Sequence, residues 1–346
     1  MGSWRKENGQ MRVDQEFMET IKNAEVLNSF VKAEREIDRH SCILCSVSGG
    51  ADSDIVVDML TKLDEKHKVV YVWFDTGVEY SATKEQLDFL ENRYGITIRR
   101  EKAIKPIPSS CREYGQPFLS KYVSKMIERL QRHDFKWEDE SYSKLLPKYP
   151  NAKSALKWWC SWYDEDLAEH FPSQSGKSSK WSISRNRYLR EFMIENPPQF
   201  KVSAKCCSYA KKDLSFKIER EINADLVVTG IRKAEGGARA GAYTTCTSFD
   251  AKRGIDTFRP LFWYTHSDKE YYEQRFEIQH SRCYTEYGLK RTGCVGCPFG
   301  RKICDELSVI KHYEPQLYAA CSNVFKDSYL YTEQYRKYVK EQKARR

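Results

Sequence analysis

Three groups of residues in this chain of 346 have types and spacings that could do chemistry. The first is Ser46-Val47-Ser48-Gly49-Gly50-Ala51-Asp52-Ser53-Asp54. A glycine pair lets the backbone turn sharply and come close to a ligand. Between a buried strand and a helix, the N–H groups of such a turn and of the helix start converge into an anion site. Ser48 and Ser53 add hydroxyl donors. Asp52 is a candidate carboxylate for a Mg²⁺ ion held mainly by phosphates. No Gly-Lys-Ser/Thr follows at the spacing of a Walker loop. Gly176-Lys177-Ser178 does not form one either, because Phe171 stands where that loop needs glycine.

The second group is polar and lies at predicted strand ends. Asp75-Thr76-Gly77 follows the apolar run Val69 to Phe74, and Gly230-Ile231-Arg232 follows Leu226 to Thr229. Arg239 sits on the glycine-rich loop Glu235-Gly236-Gly237-Ala238-Arg239. Guanidinium groups at this position suit phosphate or sulfate, since they offer a planar bidentate fork.

The third group is cysteine. Of twelve, Cys206-Cys207 and Cys294-Val295-Gly296-Cys297 are paired. Four thiolates suit tetrahedral zinc or an iron–sulfur cluster. Adjacent cysteines are awkward for one zinc ion, which favours a cluster mildly. Cys42 and Cys45 have C-x-x-C spacing but fall on a predicted strand, where residues three apart face opposite sides. They read as core thiols. Cys111, Cys160, Cys283 and Cys321 have no assignment, and Cys246 and Cys304 are the two to test as extra reactive thiols.

These groups need elements to position them. Cys42 to Val47 reads as a buried strand, and Ile55, Val56, Met59, Leu60 and Leu63 recur at helical spacing after the glycine turn. Val69 to Phe74 is a second strand, Thr83 to Tyr94 a helix stopped by Gly95, and Ile96-Thr97-Ile98 a third strand. Strand–helix alternation at this spacing predicts a parallel sheet with right-handed crossovers. Ligands in such sheets sit at the carboxyl ends of the strands. The fold class is therefore α/β, a doubly wound, mostly parallel sheet. Residues 1–40 read as an N-terminal helical segment and 41–264 as the nucleotide-binding α/β domain. A proline-punctuated helical insertion at about 104–200 carries Trp158, Trp159 and Trp162, read as aromatic faces that overhang the site and can stack unpaired bases. Residues 265–346 form a cysteine-containing helical region with a basic tail. Ser267 and Glu270 have capping-box spacing and predict a helix start.

Composition narrows the class. Lys plus Arg is 58 and Asp plus Glu is 49, a net charge of +9 that is compatible with a polyanion partner. No segment has the length and apolarity of a membrane span. Met1 to Gln10 is polar, without the apolar core of a signal peptide. A chain so rich in cysteine without such a signal is expected in the cytoplasm, with thiols used for metal or chemistry.

Ser48 to Ser53 resembles the PP-loop of ATP pyrophosphatases, which grips a nucleotide's pyrophosphate. Together with Asp75-Thr76-Gly77, Thr83, Cys206-Cys207, Gly230-Ile231-Arg232, Arg239, Pro260-Leu261-Phe262-Trp263 and Cys294-x-x-Cys297, it occurs in the order of the phosphoadenosine phosphosulfate (PAPS) reductase family. The resemblance spans roughly residues 41 to 300 and is strongest to the cysteine-rich iron–sulfur branch. It implies an adenine nucleotide alpha hydrolase-like fold and a 4Fe-4S cluster on Cys206, Cys207, Cys294 and Cys297. It also implies an adenine nucleotide on Ser48, Gly49, Gly50, Asp52, Ser53, Thr76, Gly77 and Gly230, with Asp52, Asp75, Arg232 and Arg239 in catalytic roles.

Two departures from the sulfonucleotide reductases shape the expected chemistry. Their first loop usually reads Ser-Phe-Gly, whereas here Gly49-Gly50 and Asp52 give the form of ATP-cleaving relatives. They also use a cysteine near the C-terminus as nucleophile, and no cysteine follows Cys321 here. The expectation is an enzyme that uses ATP and Mg²⁺, cleaves ATP to AMP and pyrophosphate to activate an acceptor, and transfers sulfur with a 4Fe-4S cluster. Its partners would be a nucleic-acid acceptor (tRNA or DNA) and a sulfur or electron donor. The alternatives are a PAPS or APS reductase using another thiol, and a non-catalytic nucleotide- or nucleic-acid-binding regulator.

Overall fold

The computed structural model describes residues 13, 15–161, 181–236, 241–300 and 302–345. Arg239, Trp162, Arg301 and the 173–179 loop lie outside these described residues. The chain divides into two units, 1–104 with 210–295, and 105–209 with 296–346.

The first unit holds one six-stranded sheet in the order β3-β2-β1-β4-β6-β5. The strands are β1 (Ile43–Ser46), β2 (Val69–Asp75), β3 (Ile98–Lys102), β4 (Leu226–Val228), β5 (Thr247–Asp250) and β6 (Ile255–Phe258). All neighbours pair parallel except β5 with β6. β1 lies between β2 and β4 because its residues are apolar on both faces. Ile43 and Cys45 enter the larger core, beneath helices Ala24–Arg39, Ala51–Leu63 and His266–Arg275. Leu44 enters the opposite core with Leu214 and Ile218 of helix Asp213–Glu221. Both faces are thus covered, and the α/β class holds. The chain runs from β1 outward to β2 and β3, then returns to β4 on the other side of β1. The crevice at the carboxyl ends of β1 and β4 is therefore the topological switch point.

Two local expectations shift, and two strands were unforeseen. The third strand is Ile98–Lys102, not Ile96-Thr97-Ile98. It is an edge strand whose charges pair locally: Arg99 bonds Glu101 and Glu221, so a polar run can remain a strand. β5 and β6 carry little apolar signal, because β5 is exposed along most of its length. The helix expected at Ser267 starts two residues earlier, with Thr265 Oγ1 accepting from Asp268 N at 3.2 Å and Asp268 Oδ2 accepting from Thr265 N at 2.9 Å.

The second unit is built from helices, among them Ile107–Tyr114, Lys121–Arg132, Lys153–Cys160, Leu189–Glu195, Pro315–Val324 and Lys326–Ala344. Trp158 and Trp159 are 2% and 0% exposed and pack in this unit's own core. They offer no face for stacking bases, which corrects the reading of them as a base-stacking platform. Nor is the basic tail a free arm. Helix Lys326–Ala344 buries Tyr331 and Tyr335, whose hydroxyls donate to Asn196 O and Arg187 O at 2.7 and 2.8 Å. Among the described residues no helix is long and apolar enough to cross a membrane.

Candidate functional site

The two glycines of the first unit's turn are needed for different reasons. Gly49 has φ +62°, and a Cβ there would come within 2.8 Å of Thr83 Cγ2. Gly50 has an ordinary φ of −101°. A Cβ there would press on Thr292 Oγ1 at 2.9 Å, Ser48 Oγ at 3.1 Å and Tyr284 OH at 3.2 Å. Ser53 holds the turn from within. Its hydroxyl donates to Gly50 O at 2.8 Å and accepts from Gly50 N at 3.1 Å and Ser48 Oγ at 3.1 Å. Gly230 has a packing role, since its Cβ would lie 2.9 Å from Asp52 O. That close approach brings the end of β4 against the start of helix Ala51–Leu63.

This approach delivers Arg232. Its side chain is 6% exposed. Nε lies 3.0 Å from Asp52 Oδ1, a charge contact without hydrogen-bond alignment. Neither Nε nor Nη1 has a hydrogen-bond partner among the described residues. Lys269 Nζ lies 3.0 Å from the same Asp52 oxygen and 3.4 Å from Glu273 Oε1. Asp52 thus faces two protein cations, which leaves it a poor ligand for a third.

The chain of charge continues behind the turn. His280 stands between two carboxylates, Nδ1 2.9 Å from Asp54 Oδ2 and Nε2 2.7 Å from Glu273 Oε1. Asp54 is fully buried, and Gln86 Nε2 also donates to it at 3.2 Å. Burial alone would lower the His280 pKa, but hydrogen bonds to Asp54 and Glu273 raise it to about 9. The ring is therefore an imidazolium that donates from both nitrogens. A raised folded-state pKa stabilises the fold fully below the unfolded value near 6.5 and loses that contribution as pH rises through about 9. Removing the cation leaves Asp54 buried and unpaired, so His280→Gln should destabilise by about 3 kcal/mol at pH 6. The difference from the unaltered chain should shrink toward pH 10, as checked by thermal unfolding across that range.

On the neighbouring strand end, Asp75 Oδ1 accepts from Gly77 N at 2.9 Å, and Gly77 has φ +85°. Thr76 is buried and donates to Glu79 Oε1 at 2.6 Å. Burial raises the Glu79 pKa, opposed by Lys211 and by Thr76. The structure thus brings Ser48, Gly49, Gly50, Asp52, Ser53, Gly230 and Arg232 together around one helix start. Asp75, Thr76 and Gly77 stand at the end of the adjacent strand. Lys269, His280, Tyr284 and Thr292 were missed in the sequence. Each lies about 200 residues or more from the glycine turn, and no spacing rule reaches that far.

In the second unit, the helical turn Lys205–Cys207 packs on helix Ile107–Tyr114. The Cys206 thiol has those of Cys111 and Cys207 as neighbours and lies within electrostatic reach of Cys297. Its pKa is raised, most by the Cys111 contact, with burial adding to it. Three of the four cysteines named for a cluster therefore share a thiol-rich locality, and Cys111 joins them unforeseen. Cys321 is also near, its Cβ 3.0 Å from where a Gly296 side chain would start. Cys294 belongs to the first unit. The donor chemistry suits an iron–sulfur group, but among the described residues no set of three or more Cys, His, Asp or Glu is arranged to hold a metal ion. Cys45 is a buried core thiol, as expected, and Cys304 is exposed and accepts from Arg336 Nη1 at 3.2 Å.

Fold and glycine turn define the class, an α/β protein with a mostly parallel sheet and a glycine turn at its switch point. Residues 42–145 match the family model of the phosphoadenosine phosphosulfate reductase domain. A 37.8 kDa protein of Escherichia phage 186, described as uncharacterized, is 24% identical over 290 residues, covering 81% of this chain and 76% of that protein. A glutamine-hydrolysing GMP synthase of Campylobacter jejuni is 36% identical over 77 residues, 21% of this chain and 15% of the synthase. The solved phosphoadenylyl-sulfate reductase of Candida auris, a phosphate complex, aligns with 13% identity and a TM-score of 0.43 over 83% of this chain and 98% of its own.

Proposed function

We propose that the chain is a PP-loop enzyme that binds ATP at the glycine turn and cleaves it to AMP and pyrophosphate, activating an acceptor for sulfur transfer. Arg232 carries this reading. A buried guanidinium with unmet donors is costly, and an anionic oxygen beside the start of helix Ala51–Leu63 would remove that cost. The positive end of that helix's dipole favours the same anion.

In this reading Ser48, Gly49, Gly50 and Ser53 form the phosphate turn, and Gly230 lets Arg232 reach it. Thr76 and Gly77, with Asp75, lie toward the ribose or the reacting phosphate. Asp52 orients Arg232 and Lys269, so Asp75 is the carboxylate left for a Mg²⁺ ion held mainly by phosphates. An acceptor oxygen attacks the α-phosphorus, the bond to the bridging oxygen of the β-phosphate breaks, and pyrophosphate leaves. Arg232 offsets the charge that develops, and Arg239 is assigned the same role on sequence alone. Sulfide then attacks the atom that carries the AMP ester, forms the bond to sulfur and displaces AMP. Cys206, Cys207, Cys294 and Cys297 would hold the 4Fe-4S cluster, which would supply a place to keep sulfur close to the acceptor.

The acceptor is proposed to be a nucleic acid, on the net charge of +9 and on Lys205, Lys211, Lys212, Lys290, Arg291 and Lys302 beside the cysteine pairs. The test is pyrophosphate release from ATP by anaerobically prepared protein, with tRNA, single-stranded DNA and duplex DNA offered in turn. One of them should stimulate release. Its affinity should fall with salt, by a slope of about −0.7 per phosphate contact for a single strand. The family match over residues 42–145 favours a second reading, a sulfonucleotide reductase. Tight PAPS binding, with no salt-sensitive binding of the three nucleic acids, would put it first.

A further inference from the structure

We propose that Tyr284 and Thr292 are phosphate-binding residues, forming a hydroxyl wall of the cradle opposite Gly50. The inference rests on the glycine turn being the nucleotide site and adds two ligands that no motif announces. Ala51 N and Thr292 N both donate to Tyr284 OH, at 3.1 and 3.2 Å. Those two bonds fill the acceptor capacity of the oxygen, so its proton is what it has left to give. Thr292 Oγ1 stands 3.3 Å from it, a long partner for a hydroxyl pair. If Thr292 accepts that proton, its own becomes available to an acceptor in the cradle.

Both oxygens face Gly50, where a Cβ would meet them at 2.9 and 3.2 Å, with Ser48 Oγ at 3.1 Å. Three hydroxyls thus converge on the backbone of position 50 beside a helix start. The unmet donors of Arg232, whose Nε lies 3.0 Å from Asp52 in the first turn of the same helix, point independently to an anion there. Burial raises the Tyr284 pKa, so the proton it would donate is retained at neutral pH. Amide donors polarise the phenol and strengthen its own donation. The consequence reaches the cysteine segment. Thr292 precedes Cys294 by two residues, and Val295 N donates to Val78 O at 3.1 Å, just beyond the Asp75-Thr76-Gly77 turn. Cys294 is thus tethered on both sides to the nucleotide edge.

Calorimetric titration of the full chain with ATP and with pyrophosphate tests this, using Tyr284→Phe, Thr292→Val, Thr292→Ser and, as a reference, Gly50→Val. Hydrogen bonds to charged groups imply about 10-fold or more weaker binding of both ligands by Tyr284→Phe and by Thr292→Val. Thr292→Ser should recover most of the loss, which a merely structural role for the methyl would not produce. Unchanged or tighter binding by both Tyr284→Phe and Thr292→Val, with Gly50→Val folded but unable to bind, would overturn the hydroxyl wall and leave the nucleotide site standing. Binding indifferent to Gly50→Val as well, or absent from the unaltered protein, would remove both.

Discussion

Arg232→Lys should lower the rate of pyrophosphate release by about 10²-fold, with the melting temperature close to that of the unaltered chain. Lysine keeps the positive charge near Asp52 but has no planar fork. Arg232 is 6% exposed and sits within 3.0 Å of Asp52 through Nε, and its Nη1 has no hydrogen-bond partner among the described residues. Only a guanidinium can keep the contact to Asp52 and present further donors to a phosphate. A lysine ammonium would be held by Asp52, as Lys269 already is. The loss should therefore fall on turnover more than on ATP affinity, since the N–H groups of the turn are untouched. Near-normal turnover by Arg232→Lys would reduce the residue to a partner of Asp52.

Anaerobically prepared protein should be brown and contain iron and sulfide, and Cys206→Ser or Cys297→Ser should each lose most of that iron. Cys206 is the more searching choice. It is 4% exposed and in contact with Cys111 and Cys207, so a hydroxyl there changes the centre of the thiol locality. Cys111→Ser belongs in the same series, because Cys111 touches Cys206 although no motif contains it. Retention of iron by Cys206→Ser and Cys297→Ser, or stoichiometric zinc without sulfide, would rule out the cluster assignment.

The centre of the sheet was legible because β1, β2 and β4 are buried on both faces and read as unbroken apolar runs. The glycine turn was legible because Gly49 and Gly50 sit between one of those runs and a helical pattern. Legibility ended where burial did. β3 hides its strand in Arg99, Arg100 and Glu101, whose charges are satisfied by neighbours that only the fold supplies. β5 is short and exposed. Trp158 and Trp159 illustrate the opposite error: their aromatic character was visible, but whether they face solvent or a core is decided by the helices around them. The polar parts of the site were the least legible. Tyr284 reaches Ala51, and His280 reaches Asp54, across more than 200 residues. Each pairing depends on helix His266–Arg275 and the turn after it returning to the first loop.

The central claim is that the Gly49-Gly50 turn holds the phosphates of ATP. Calorimetric titration of ATP into the unaltered chain and into Gly50→Val tests it most directly. Position 50 has a backbone conformation that valine tolerates, and the branched side chain would press on Thr292 Oγ1, Ser48 Oγ and Tyr284 OH, which stand 2.9 to 3.2 Å from a Cβ there. Circular dichroism and the melting temperature are therefore read beside the titration. The account predicts saturable ATP binding that Gly50→Val reduces beyond detection. Equal affinity in the two proteins would contradict it.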